Sequence, residues 1–364
     1  MEPDFYSPPE ELPLLTQLDG LEASVEGGAC SDHNEWCTCT PDLLQPDEFP
    51  PEGMQPTSDA ENELSTIFLH SGWLDVRRRV HSALKASHAT AAACSAFATC
   101  GWNSWCLASD TEPVQYRVVA SWCNSKWCRV CQRRRAMRLA GRLAQLVSPK
   151  RTRFITLTLR ANEEPLRCQV QRIYQAFRRL RQRVLWKNTQ SGGVAFLEVT
   201  RGANDTGWHV HLHILATGGF IDKTELSAAW KQITGDSFIV DIRWVRSVRN
   251  AIQYVCKYVG KGYSDKLARD ERTMITLINH LHNVRTYCVF GDWRAVLAEE
   301  PDDTITWKPI SPLGSLLRRA YDGDTEAERI VRAIDPWLQI PESQKPPPSK
   351  TGSGADDPVD RFHV

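Results

Sequence analysis

The chain has 364 residues, 41% of them hydrophobic, with 44 basic and 44 acidic residues and a formal net charge of zero. That length supports one large domain or two smaller ones with real cores. No apolar run approaches the ~18 residues of a membrane span, and the N-terminus has neither a basic nor an apolar signal region, so a cytoplasmic protein with no membrane partner is expected.

The zero hides an asymmetry. Residues 1–66 hold 16 acidic residues and no Lys or Arg, which leaves 44 basic against 28 acidic in the remainder. A neutral total therefore does not argue against a nucleic-acid partner. Twelve cysteines without a signal segment read as reduced thiols or metal ligands rather than a disulfide framework.

In chain order, residues 1–66, with nine prolines, read as a disordered acidic tail. Cys30, His33, Cys37 and Cys39 inside it match no common metal module. Residues 67–148 form a cysteine-rich, zinc-binding and basic helical region. Residues 149–262 have the clearest rhythm. RFITLTLR (Arg153–Arg160) alternates and is rich in β-formers, which predicts a strand. Asn162 is placed to cap a helix with Pro165 in its first turn. Val170, Ile173, Tyr174, Phe177, Leu180 and Val184 follow helical spacing, and Gly192-Gly193 ends it. VAFLEVT (Val194–Thr200) and WHVHLHILA (Trp208–Ala216) predict a hairpin. Asp222 caps a helix through Trp230 that stops near Gly235. SFIVDIRWV (Ser237–Val245) predicts a fourth strand, and Ser247 opens a last helix, VRNAIQYVCKYVGK, ended by Gly262.

The order β-α-β-β-α-β-α predicts an α+β fold, a ferredoxin-like domain with a central antiparallel sheet. Residues 263–340 look mixed and mostly helical. Residues 341–364, rich in Pro, Ser and Gly, read as a disordered tail.

Three patterns carry chemistry. In His209-Val210-His211-Leu212-His213, alternate strand residues share a face, so three imidazoles project together while Val210 and Leu212 face the core. Glu198 lies mid-strand on the paired strand, where a buried carboxylate needs a partner, and it can supply an oxygen ligand beside the imidazoles. Tyr254 and Tyr258 are one helical turn apart, with Lys257 and Lys261 as a neighbouring stripe. A phenol is a poor nucleophile until its proton is taken or its charge stabilised, and a metal-polarised phosphate beside Lys meets that need. Cys123, Cys128 and Cys131 have a C-x4-C-x2-C spacing that suits tetrahedral zinc and lacks a fourth ligand. Cys100 is the first choice, with Cys106 and Cys94 as competitors.

A basic stretch follows. Residues 126–187 contain 18 Lys or Arg and two acids. The helix begun by Arg133, Arg134, Arg135 and Arg138, with Met137, Ala140, Leu143 and Ala144 as its expected apolar side, offers a face for the phosphate backbone.

RFITLTLR, GWHVHLHIL and YVCKYVGK, in that order after a cysteine cluster and an Arg-rich helix, resemble the three motifs of the HUH-endonuclease rolling-circle replication initiators of plasmids. The resemblance covers about residues 94–262, and reaches Arg294 through VRTYCVFGDWR. It implies a metal-dependent DNA nicking and ligating enzyme. Mg²⁺ or Mn²⁺ would be held by His211, His213 and Glu198, with His209 a looser ligand, and Zn²⁺ would have a structural role. Tyr258 matches the nucleophile, and Tyr254 matches the second tyrosine of the two-tyrosine branch. Lys257 would hold phosphate or stabilise phenolate. The implied partners are single-stranded and origin DNA, with a host helicase, since no GxxxxGK[ST] occurs, and a host DNA polymerase. Some relatives carry Glu where Tyr254 stands, and Pro where Val210 and Arg129 stand. A transposase with the same chemistry and a non-enzymatic zinc-containing DNA-binding regulator are the rival readings. Oligomeric state is not legible.

Overall fold

The computed structural model describes residues 54–148, 151–201, 207–259, 267–268, 270–298 and 305–334. Cys30, His33, Cys37, Cys39 and Lys261 lie outside the described residues.

The first helix, α1 (Asp59–Leu69), uses the last part of the acidic stretch that composition predicts to be disordered. A capping box starts it: the Ser58 hydroxyl accepts from the Glu61 amide, and the Glu61 carboxylate accepts from the Ser58 amide at 2.9 Å. Two orphan donors are thereby satisfied at a helix N-terminus. Asn62 is buried and accepts from the Asn103 amide at 2.8 Å, so a tertiary contact fixes this helix against the strand Trp102–Ser109.

Then come α2 (Leu74–Lys85), α3 (Ala91–Ala98), β1 (Trp102–Ser109), β2 (Tyr116–Ser121) and α4 (Arg129–Ala144). The next elements are β3 (Thr152–Thr158), α5 (Leu166–Gln182), α6 (Val184–Lys187), β4 (Gln190–Arg201), β5 (Trp208–Gly218) and α7 (Lys223–Thr234). The chain continues with β6 (Val240–Trp244), α8 (Val248–Val259), α9 (Glu271–His280), β7 (Tyr287–Gly291) and α10 (Trp293–Ala298). It closes with β8 (Trp307–Pro312), α11 (Leu313–Tyr321) and α12 (Thr325–Ile334).

Two antiparallel sheets result. A three-stranded sheet, β2-β1-β8, joins the front of the described chain to its end, with α11 and α12 over Cys106. A five-stranded sheet has the order β6-β3-β5-β4-β7. In it β3 and β4, joined through α5, flank the antiparallel β5, which is the split arrangement a β-α-β-β-α-β chain produces. The sheet also takes β7 from residues 287–291, beyond the segment with clear strand-helix rhythm.

Alternation sets the two faces of this sheet. Ile155, Leu157, Leu197, Val199, Val210, Leu212 and Ile214 are all buried in one core with α5 and α7. Trp230 of α7 is fully buried there and donates its indole N–H to the Thr158 carbonyl at 2.9 Å. The other face, with Val194, Phe196 and Leu215, packs under α4 and α8.

Several sequence expectations are corrected. Pro165, not Asn162, is the N-cap of α5, and Asn162 instead accepts from the Glu164 amide at 3.1 Å in a local turn. Arg183 is extended, so Val184 starts the short α6 and is 71% exposed rather than continuing the apolar stripe. Gly192 and Gly193 lie inside β4. At Gly193 a Cβ would stand 2.3 Å from the Leu215 carbonyl oxygen, so the close strand approach demands glycine. The apolar side of α4 is Ala136, Leu139, Ala140 and Leu143, while Met137 is 51% exposed. Burial of Cys131 and Gln132 at the helix start fixes that phase.

Candidate active site and cysteine centre

The α4/α8 face of the sheet carries the polar row. Register pairs Thr156 with His213 and Thr158 with His211 across β3–β5. It pairs Glu198 with His211 and Thr200 with His209 across β4–β5. Directly opposed residues on antiparallel strands share a face, so hydroxyls, imidazoles and the carboxylate lie on one side.

His213 is the hub. Its Nε2 is 2.7 Å from a Glu198 carboxylate oxygen. Its Nδ1 is 3.2 Å from the Thr156 hydroxyl and 3.3 Å from the Tyr254 hydroxyl. Tyr258 stacks on the same imidazole, with centroids 3.8 Å apart and planes 18° from parallel.

His211 is held differently. Its Nδ1 is 3.1 Å from the Thr158 hydroxyl and its Nε2 is 3.5 Å from the Thr200 hydroxyl. The His209 ring lies 4.1 Å away and the His213 ring 6.0 Å away. Burial, reinforced by the neighbouring His209 imidazole and opposed by Glu198, pushes His211 down to about 3. Burial lowers His209 as well. Burial thus favours the neutral form of both rings, which keeps a lone pair.

The helix α8 brings the phenols to this row. The Ser247 hydroxyl accepts from the Asn250 amide at 3.1 Å at its start. Tyr254 and Tyr258, one turn apart, have ring centroids 4.6 Å from each other. Tyr254 also packs on Phe154 at 4.1 Å. Burial pushes the Tyr254 phenol well above its ordinary range, and Tyr258 adds to the shift.

The structure thus gathers His213, Glu198, Tyr254 and Tyr258, with His211 beside them. Lys257 lies on α8, but its side chain is outside the described residues. Thr156, Thr158 and Thr200 also line this row, beyond the residues that the sequence motifs single out. Their signal was available: in RFITLTLR the threonines occupy one alternation phase and the buried aliphatics the other.

The cysteine centre is built from loops. Cys100 precedes β1, Cys123 follows β2, Cys128 is the N-cap of α4, and Cys131 lies in its first turn. Their sulfurs all lie within 4.8 Å of one another, the only such group of three or more ligand-type atoms among the described residues. Cys100 is 3.8 Å from Cys128 and 3.5 Å from Cys131, and Cys123 is 3.5 Å from Cys131. Tetrahedral Zn–S bonds of about 2.3 Å put sulfurs roughly 3.8 Å apart, so this group can hold a metal ion such as zinc. Hydrogen bonds from Cys123, Cys128 and Cys131 hold Cys100 far below the usual thiol range, while burial pushes Cys128 up. Cys106 faces the small sheet's core instead, where burial pushes it up to about 12.

The arginines proposed for DNA are half-buried around this centre. Arg134 lies over the Trp122 ring at 3.8 Å, and burial with Arg138 alongside holds it down at about 9. Arg135 donates to the Asn124 carbonyl at 3.4 Å. Arg133 and Arg138 are on the same helix, half-exposed. Lys126 donates to the Leu281 carbonyl and, at 3.0 Å, to the Val284 carbonyl, which ties the cysteine loop to the end of α9.

An antiparallel sheet with an imidazole, carboxylate and phenol row on one face, together with a four-thiol centre that can hold a metal ion, defines a mixed α/β protein. The chain belongs to the replication protein family, whose sequence profile matches residues 116–311. It is similar to Protein rep of Streptococcus pneumoniae serotype 2 (strain D39 / NCTC 7466), 28% identical over 38% of this chain and 51% of that protein. Protein rep of a Bacillus sp is 27% identical over 38% of this chain and 50% of its own length. Protein rep of Staphylococcus aureus is 26% identical over 46% of this chain and 81% of its own. The chain thus spans about half the length of the first two relatives. No solved structure matches it.

Proposed function

We propose that this protein initiates rolling-circle replication by nicking and rejoining single-stranded DNA at a plasmid origin through tyrosine transesterification. The observation that carries the reading is the Tyr258 ring stacked on His213 while Glu198 lies 2.7 Å from that same imidazole. The ring that carries the candidate nucleophile and two ligand-type side chains then lie together on one face of the sheet.

In this reading a divalent ion such as Mg²⁺ or Mn²⁺ would be held by Glu198, which offers a hard oxygen, and by His211 and His213, which offer softer imidazole nitrogens. When bound, that ion supplies Lewis-acid polarisation of a phosphate oxygen. The chain's own residues do the rest. In this reading Tyr258, stacked on His213, is the nucleophile that attacks phosphorus. Its oxygen bonds to phosphorus as the bond to the 3′ oxygen breaks. The phenol gives up its proton, the leaving oxygen takes one up as a 3′-hydroxyl, and the 5′ phosphate stays on the tyrosine. The ester conserves the bond energy, so rejoining needs no ATP. In this reading Tyr254 performs the second transfer after one round of synthesis, and Lys257 steadies the phosphate.

In this reading α4 has two roles. Its arginines, with Lys261, track the DNA backbone, and its apolar side fixes α8 through the shared core. A host helicase opens the duplex and a host DNA polymerase extends the 3′-hydroxyl. Covalent trapping tests the reading: labelled origin single strand and Mn²⁺ are mixed with wild type and with Tyr258→Phe. A denaturant-resistant adduct confined to wild type is expected. Tight origin binding with no adduct in wild type would leave a DNA-binding protein without the chemistry.

A further inference from the structure

Three of the four thiols lie within the residues that the family profile matches, but Cys100 precedes them. It stands in the loop between α3 and β1, and the C-terminal end of α1 reaches it there. His70, the C-cap of α1, and Cys100 are both fully buried. Nε2 of His70 is 3.0 Å from the Cys100 carbonyl oxygen. A carbonyl only accepts, so the ring donates Nε2–H to it. Nδ1 is buried without a hydrogen-bond partner among the described residues, so the ring's polar contact is directed at Cys100. The fit is close. Gly101 has a φ of +94°, and a Cβ there would stand 3.0 Å from Cδ1 of Leu69 and 3.7 Å from Nε2 of His70. The same corner reaches the other thiols. The His70 ring packs on Trp73, with centroids 5.6 Å apart, and the guanidinium of Arg129, between Cys128 and Cys131, lies 5.7 Å from the centroid of Trp73.

We infer that His70 is a positioning residue of the cysteine centre: it holds the Cys100 backbone so that the fourth sulfur closes the site, and the end of α1 is thereby part of the metal centre. This rests on the four-thiol metal site described above. Cys123, Cys128 and Cys131 come from one short stretch of chain, whereas Cys100 comes from a separate loop. Its approach therefore depends on what fixes that loop. The Cys100 amide donates to the Phe97 carbonyl at 3.4 Å, a long bond, and the Gly101 amide donates to the Ser121 carbonyl at 2.9 Å, which ties the loop to the end of β2. His70 supplies the hold from the other side. Without this donor the Cys100 carbonyl would be buried and unpaired, a cost that favours movement of the loop. A ligand whose backbone has moved no longer meets the other three at one tetrahedral point.

His70→Leu removes the donor, and His70→Gln keeps an N–H at similar reach. Two readings on the full chain compare these variants with wild type, Cys100→Ser and Leu316→Ala. One is Zn²⁺ affinity, from competition with a chromophoric chelator. The other is the sulfur-to-metal charge-transfer band of the Co²⁺-loaded protein. Removing a group that orients a metal ligand typically weakens affinity roughly 10–100-fold. That loss is expected for His70→Leu, with the band falling from a four-thiolate towards a three-thiolate intensity, and recovery is expected for His70→Gln. Leu316 is buried in the separate core under α11 and α12, so Leu316→Ala should destabilise the fold and leave both readings as in wild type. His70→Leu with wild-type affinity and band, beside a Cys100→Ser that has lost affinity, would overturn this inference alone. Equal losses in His70→Leu and Leu316→Ala would reduce the effect to general destabilisation and overturn it as well. A Cys100→Ser variant that binds as wild type would overturn the four-thiol centre with it. A second measurement needs no variant: the imidazole ¹⁵N shifts of zinc-loaded wild type should place the His70 proton on Nε2. A proton on Nδ1 would sink the proposal.

Discussion

Two clusters of ligand-type side chains sit in this molecule, and they are built in opposite ways. The cysteine group is closed, with four sulfurs within 4.8 Å. The histidine group is open: His213 and Glu198 touch at 2.7 Å, while His211 is turned to threonine hydroxyls and its ring lies 6.0 Å from that of His213. Four matched ligands saturate a tetrahedral ion and leave no room for substrate, whereas spare positions are what a catalytic ion requires. The difference comes from the backbone that carries each. Loops and a helix start can fold four thiols around a point. A strand spaces its imidazoles at the fixed two-residue repeat, and neighbouring strands must supply the rest.

That contrast is broken most forcefully at Cys128. Cys128→Ser should abolish zinc binding and cost more than about 4 kcal/mol, a fall in Tm of roughly 10 °C. Metal analysis with thermal unfolding checks it, and an unchanged Tm would remove the structural role from the closed cluster. At the open cluster the expected signature is the reverse. Tyr258→Phe should lower covalent adduct formation by at least ~10³-fold, about 4 kcal/mol of barrier, and leave Tm nearly unchanged. A large Tm loss would mean the tyrosine is chiefly a core residue.

Leu139 lies in the core that α4 shares with Tyr258. Leu139→Ala should cost roughly 2–5 kcal/mol and loosen the packing of α8 while the thiols still bind zinc. Denaturant titration alongside metal content tests that separation. The smallest effect is expected at the protein's outer face. Arg133→Ala should weaken DNA binding about evenly across sequences and reduce the salt slope by about one. A sequence-dependent loss would instead assign Arg133 to base reading.

Much of the histidine row is legible in the sequence. The alternation His209-Val210-His211-Leu212-His213 required one shared face, and the i, i+4 spacing of Tyr254 and Tyr258 required another. What alternation could not supply was which strand stands opposite. Thr156 and Thr158 enter the site only through the β3–β5 register. The errors have the same origin. Local spacing assigns Met137 to the apolar side of α4, but the buried Cys131 and Gln132 set the helix phase. Gly192-Gly193 reads locally as a helix breaker, yet these residues serve a strand that passes too close to β5 and α10 for any Cβ.

By itself the sequence determined the periodicities: which residues share a face, where helices are capped at Asp222 and Ser247, and that three thiols were spaced for a metal. Only the tertiary structure decided the partners. It selected Cys100 over Cys94 and Cys106, placed Tyr258 against His213, and drew β7 from beyond the last predicted helix into the sheet. The physical reason is that a face is a local property, set by 3.6- and 2-residue repeats. A contact between faces depends on how distant segments pack to bury their apolar sides, and no local repeat encodes that.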